Sequence, residues 1–83
     1  MSKLNPQRLE NVLLYIDDFI QAHNYPPTIR QISKNTCIPS TSSVSNYLWQ
    51  LKAMNLLNIE PGAFRTIRIT ESGYDRIKEL KNA

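Results

Sequence analysis

Between Ser40 and Gln50 the sequence places Ser40, Thr41, Ser42, Ser43, Ser45, Asn46, Trp49 and Gln50, and not one acid. Hydroxyls and carboxamides donate and accept hydrogen bonds without carrying charge, so a surface built from them suits base edges and phosphate oxygens, both rich in acceptors. Arg30 and Lys34 precede this stretch, Lys52 closely follows it, and Arg65 and Arg68 lie further on. From Thr28 to Arg68 those five cations face the single acid Glu60, a balance of +4 within a chain of net charge +3. Pro6 to His23 holds Arg8 against Glu10, Asp17 and Asp18, a balance of −2. One part is positive and another negative, which orients a molecule toward a polyanion.

Catalytic chemistry has no comparable support. A nucleophile needs a base and a group that orients the base, yet His23 is the sole histidine, Cys37 the sole cysteine, and no Gly-rich phosphate loop is present. One Cys and one His cannot supply a zinc set, and one Cys cannot form an internal disulfide. The expectation is therefore no enzyme, no cofactor and no metal. His23 is expected to be structural, and Cys37 a partly buried thiol in a reducing compartment.

The elements that must position these groups follow from period and caps. Taking Val44 as the origin and advancing about 100° per residue, Val44, Leu48 and Leu51 share a narrow sector while Ser42, Asn46, Trp49, Gln50 and Ala53 fall opposite. This defines a helix over residues 41–54, with Ser40 or Thr41 as N-cap and Asn55 able to end it in the left-handed conformation. Upstream, Asn5-Pro6 starts a helix over residues 5–24, buried through Leu9, Val12, Leu13, Ile16 and Ile20. Leu14 is expected among Glu10, Asp18 and Gln21 on the polar side, where another segment or a second copy of the chain would have to cover it. Tyr25-Pro26-Pro27 breaks the pattern. Thr28 caps a short helix over residues 28–36, with Ile29 and Ile32 inward and Arg30, Gln31 and Lys34 outward. A few residues separate it from the third helix, the spacing of a helix-turn-helix.

Beyond Asn55 the period drops to two: Leu57 and Ile59, then Ile67 and Ile69, alternate with polar residues around the Pro61-Gly62 turn signal. A two-stranded wing over residues 57–70 is expected. Thr70 caps a last helix over residues 71–81, with Tyr74, Ile77 and Leu80 apolar; Gly73 weakens it by up to about 1 kcal/mol relative to Ala. The fold class is mainly α with a small β-hairpin: a winged helix-turn-helix with a three-helix core, a two-stranded wing and an additional C-terminal helix. All 83 residues are expected to form one domain. No apolar run approaches the roughly 20 residues of a membrane span, and the start lacks an apolar targeting core. A cytoplasmic location and no membrane partner are expected.

These residues resemble the winged helix-turn-helix DNA-binding domain of the LexA repressor family. The resemblance rests on Tyr25-Pro26-Pro27-Thr28, Ile29, Ile32, Ile38, Ser40 through Val44, Leu48, Leu51, Leu56-Leu57, Pro61-Gly62, Arg65, Ile67, Arg68 and Ile69, covering Leu9 to Ile69. It implies that Ser40, Ser42, Ser43, Ser45 and Asn46 face base edges or adjacent phosphates, that Thr28 and Arg30 sit where the second helix meets the backbone, and that Arg65 and Arg68 lie on or beside the wing. Asn55 stands where the family commonly has Gly, and Trp49 where it commonly has a basic residue. The family continues into a self-cleaving protease and dimerisation domain, whereas this sequence stops at Ala83, so a stand-alone relative is expected.

Residues and resemblance together predict a sequence-specific double-stranded-DNA-binding regulator, a repressor. Ser42, Ser45, Asn46 and Gln50 would read the major groove, Arg30, Lys34 and Lys52 would position the backbone, and Arg65 with Arg68 would anchor the wing. Trp49 would touch a thymine methyl or sugar, unless the wing or last helix covers it. Leu14 and the last helix are the candidate surface for a homodimer. The competing expectation is a winged-helix module that binds protein, an antirepressor or assembly factor, through Trp49, Tyr47 and Leu14.

Overall fold

The structure, a computed structural model, describes residues 4–60 and 63–82, and of 63–65 the backbone alone. The Pro61-Gly62 turn and the Arg65 side chain, both singled out above, lie outside the described residues. Helix α1 (Pro6–His23) begins under the Asn5 side chain, which accepts from the amides of Gln7 and Arg8, and ends at Asn24 in the left-handed region at φ 64°. Its start is tied to the interior because the Asn5 amide donates to the Tyr47 hydroxyl at 3.0 Å. Val12, Leu13 and Ile16 are buried.

The Pro26-Pro27 interruption hands the chain to α2 (Ile29–Asn35). Thr28 and Gln31 satisfy each other's orphan amides in a capping box, at 3.1 Å to the Thr28 hydroxyl and 2.8 Å to the Gln31 side-chain oxygen. The turn after α2 closes through Ser33, whose hydroxyl donates to the Ile38 carbonyl at 2.6 Å. Cys37 stands at φ 58° in this turn and is exposed. This corrects the partly buried thiol expected from sequence: a left-handed turn residue points outward while Thr36 and Ile38 on either side are buried.

Helix α3 (Thr41–Ala53) is capped by Ser40, whose hydroxyl accepts from the Ser43 amide at 3.2 Å. It ends in a Schellman motif: the Leu56 amide returns to the Leu51 carbonyl at 3.0 Å and the Asn55 amide to Lys52 at 2.9 Å. Asn55, at φ 62°, takes the position where glycine is the usual solution. Strands β1 (Leu57–Glu60) and β2 (Ala63–Ile69) pair antiparallel with Leu57 opposite Ile69 and Asn58 opposite Arg68, and the register shifts between Asn58 and Glu60. Leu57, Ile59 and Ile67 turn inward onto the core formed by the three helices. The chain thus adopts a mainly α winged helix-turn-helix. No helix among the described residues is long and apolar enough to cross a membrane.

Helix α4 (Glu71–Lys81) packs on its own domain. Thr70 is the joint: its hydroxyl accepts from the Gly73 amide at 2.9 Å and donates to the Asn55 carbonyl at 2.6 Å. Gly73 is buried, and a Cβ there would lie 2.2 Å from the Leu56 carbonyl oxygen, so the residue that looked like a weakness permits the close approach. Ile77 enters the core, while Tyr74 remains 42% exposed. Arg76 pairs with Glu10 at 2.8 Å, and Lys81 with Asp17 at 3.3 Å and Asp18 at 3.5 Å. Asp17 is 5% exposed, and Leu14 is half-buried against the core of its own domain, the first of the two kinds of cover expected for it.

Two outcomes follow from α4. Gly73→Ala gains up to about 1 kcal/mol of helix propensity but loses about 1–3 kcal/mol to the clash with Leu56, so the urea midpoint falls. The Lys81 pKa is raised, first by the Asp17 hydrogen bond and then by the charges of Asp17 and Asp18. A raised folded-state lysine contributes stability that is complete below its ordinary value of 10.5 and vanishes as pH climbs through the raised value. Urea midpoints taken from about pH 9 to 12 should therefore fall more steeply for the wild type than for Lys81→Gln.

Candidate nucleic-acid interface

Helix α3 sorts its polar side chains by what the fold already asks of them. Ser40 is the cap, and its hydroxyl also donates to the Ser43 hydroxyl at 3.0 Å. Ser45 is turned back onto its own helix, donating to the Thr41 carbonyl at 3.2 Å. Ser42, Asn46 and Gln50, spaced four apart and hence in one row along the helix, are exposed and make no side-chain hydrogen bond to another described residue. That row consists of a hydroxyl and two carboxamides, groups able to donate and accept side by side.

Beside the row, Trp49 is 38% exposed, so the wing and α4 leave much of it presented. The Lys52 ammonium sits 5.3 Å from the centre of its ring and donates to the Ile59 carbonyl at 2.8 Å. Sequence reasoning gave Lys52 to a phosphate and missed this link. A trace of it was available, since residues three apart on a helix meet, but the strand carbonyl was not. Tyr47, offered above as a surface contact, is 4% exposed and serves Asn5 instead.

Helix α2 brings Arg30 and Lys34 to the surface four residues apart, both exposed. Thr28 is exposed with its hydroxyl engaged in the capping box. On the wing, Arg68 is exposed opposite Asn58. No acid occurs between Asp18 and Glu60, so α2, the turn and α3 form a surface of neutral polar groups flanked by unopposed cations. The acids of α1 are occupied elsewhere: Glu10, Asp17 and Asp18 all face the cations of α4. His23 stacks near Phe19 at 4.2 Å and Tyr25 at 5.6 Å between ring centres, in an aromatic cluster at the end of α1.

A family model described as the LexA DNA binding domain matches residues 1–66 of the chain. The chain belongs to the LexA DNA-binding domain family. The LexA repressor of Lacticaseibacillus casei is 37% identical over 76 residues, 92% of this chain and 36% of that protein. The LexA repressor of Moorella thermoacetica is 40% identical over 79 residues, 95% of this chain and 38% of its own length. That of Enterococcus faecalis is 34% identical over 77 residues, 93% and 37% respectively. The chain spans a little over a third of the curated LexA repressors it matches. The family-model match stops short of α4, which begins at Glu71.

The division of hydroxyls between structure and surface can be measured. Ser40→Ala removes a cap and should lower stability by about 1 kcal/mol. Ser42→Ala removes no hydrogen bond to a described residue and should stay within about 0.5 kcal/mol of wild type in the same urea titration.

Proposed function

We propose that the chain is a sequence-specific double-stranded-DNA-binding transcriptional regulator, a repressor, that reads the major groove with α3. The observation that carries this reading is the row Ser42, Asn46 and Gln50, exposed and without a side-chain hydrogen-bond partner among the described residues, on the third helix of a LexA-family domain. A carboxamide matches the adenine edge with two hydrogen bonds, which only a presented and unoccupied side chain can offer. Relatives named LexA repressor support the direction of regulation.

In this reading Asn46 and Gln50 discriminate bases, and Ser42 serves a base edge or the adjacent phosphate. Arg30 and Lys34 on α2 and Arg68 on the wing take phosphates, fixing the register in which α3 enters the groove. Ser40, Ser43 and Ser45 act through the shape of the helix start, their hydroxyls being held within it. The site contains no guanidinium or ammonium in the row itself, so guanine cannot be gripped by the commonest bidentate contact and discrimination per copy is modest. Two copies on a two-half-site operator supply the remainder. The inner face of α4 packs on α1, so pairing of copies relies on the spacing of the half-sites more than on an α4 contact.

Selection from randomised duplexes should retain a motif with two related halves. On that motif, Asn46→Ala should lower the preference over singly changed sites by about tenfold and leave the slope of affinity against salt unchanged. Arg30→Ala should weaken all duplexes alike and reduce that slope by about 1. A pool with no shared motif after selection would defeat the proposal.

A further inference from the structure

Lys52 is the only charged residue on α3, and the structure gives it two internal partners. Its ammonium donates to the Ile59 carbonyl at 2.8 Å and lies 5.3 Å from the Trp49 ring centre. Ile59 occupies a special position in β1. The ladder pairs Asn58 with Arg68 and then Glu60 with Ala63, so the register passes over Ile59 where it shifts. The Glu60 amide is received by the Thr66 hydroxyl at 3.0 Å. Side chains, one from β2 and one from α3, thus hold the stretch of β1 where regular pairing lapses. The Ile59 side chain is buried at 1% exposure, which fixes the carbonyl that Lys52 must reach.

From this geometry we infer that Lys52 is a positioning residue: it ties the last turn of α3 to β1 and sets the angle at which the wing stands beside the Ser42–Asn46–Gln50 row. Trp49, three residues back, offers its ring face to the ammonium, a favourable arrangement for a cation partly withdrawn from water. The bond to Ile59 takes one of the ammonium's three donors and fixes where the other two can reach. The consequence for DNA rests on the function proposed above; the link itself does not. A wing held at one angle presents Arg68 without first having to be ordered, which is how preorganisation raises affinity.

Lys52→Met keeps most of the stem and removes the charge and donors. In the free protein, amide hydrogen exchange around Ile59 and Thr66 should quicken at least about threefold, while α1 is unchanged and so reports that the fold persists. Lys52→Arg, still able to donate to the carbonyl, should keep the slow exchange. Unchanged wing exchange in Lys52→Met would overturn the inference.

The second measurement compares wild type, Lys52→Met, Arg68→Ala and the double variant on the selected duplex. Arg68→Ala should weaken binding about fivefold in wild type and less than about twofold once Lys52 is Met, because the wing is then no longer aimed. Two losses that simply multiply would make Lys52 an independent phosphate contact, and no loss for Lys52→Met would make the link purely structural; either result overturns the positioning role. Failure of the wild type to prefer any duplex would defeat the proposed function before any variant is compared, and hydrogen exchange would then decide the link alone.

Discussion

The Leu56 carbonyl is where the rest of the molecule is held to α3. It accepts the Thr70 amide at 3.2 Å, closing the base of the wing, and it lies so near the Gly73 backbone that no side chain fits between them. One residue earlier, the Asn55 carbonyl takes the Thr70 hydroxyl. The end of α3, the roots of both strands and the first turn of α4 therefore meet within two residues, and each leaves the junction in a direction set by the others. Asn55 makes this possible by turning the chain through the left-handed region, a conformation that a β-branched residue would resist. In the last turn of α3, Lys52 adds a second attachment to β1. A hairpin of two short strands has little stability of its own; joined at two points, it becomes part of the helix it flanks.

The charge pattern depends on the same docking. Three acids of α1 would weaken any approach to a polyanion if their fields reached solvent unopposed. Arg76 and Lys81 on α4 meet them instead. The Arg76–Glu10 pair is part-exposed and contributes only about 0.5 kcal/mol to stability, so its main effect is on where positive potential is left over. Among the described residues Arg30 and Lys34 on α2 and Arg68 on the wing make no ion pair, and the α3 between them in the chain carries no acid. The separation of signs seen in the sequence is therefore sharpened in three dimensions by a helix that carries the neutralising cations.

Features decided by neighbours in the chain were legible from residue types. Asn5, Thr28, Ser40 and Thr70 each accept from an amide at their helix start, and Asn24 and Asn55 turn the chain where helices end. The buried stripes of α1 and α3 and the alternation in the wing follow from period alone, since each repeats the geometry of its element. Features decided by distant residues were not legible. Asp17 and Lys81 are 64 positions apart, Asn5 and Tyr47 are 42 apart, and no periodicity announces either pair. Gly73 has an unfavourable local propensity whose compensation is a contact with Leu56 across the junction. The Lys52 link was not legible for a related reason: a lone cation on a polar helix does not announce the strand carbonyl that its ammonium meets seven residues on.

The surface that remains after this accounting is smaller than the serine-rich sequence suggests, and that bears on the proposed affinity. A bidentate contact between a carboxamide and adenine discriminates by about 1–3 kcal/mol, so Asn46 and Gln50 together supply about 2–6 kcal/mol if both are fully used. Regulators exceed their own non-specific binding by about 4–10 kcal/mol. One copy thus reaches the lower part of that range at best, while two copies on one operator enter its middle. The absence of charge from the row fits the proposed division of labour, in which the cations of α2 and the wing raise affinity for any duplex and neutral groups choose among sequences. Discrimination by few groups places a premium on their aim, because a carboxamide displaced by an ångström loses one of its two bonds. The junction at Leu56 and the Lys52 bond both join the wing to α3, so in the proposed function a phosphate met by the wing would fix where Asn46 and Gln50 fall in the groove.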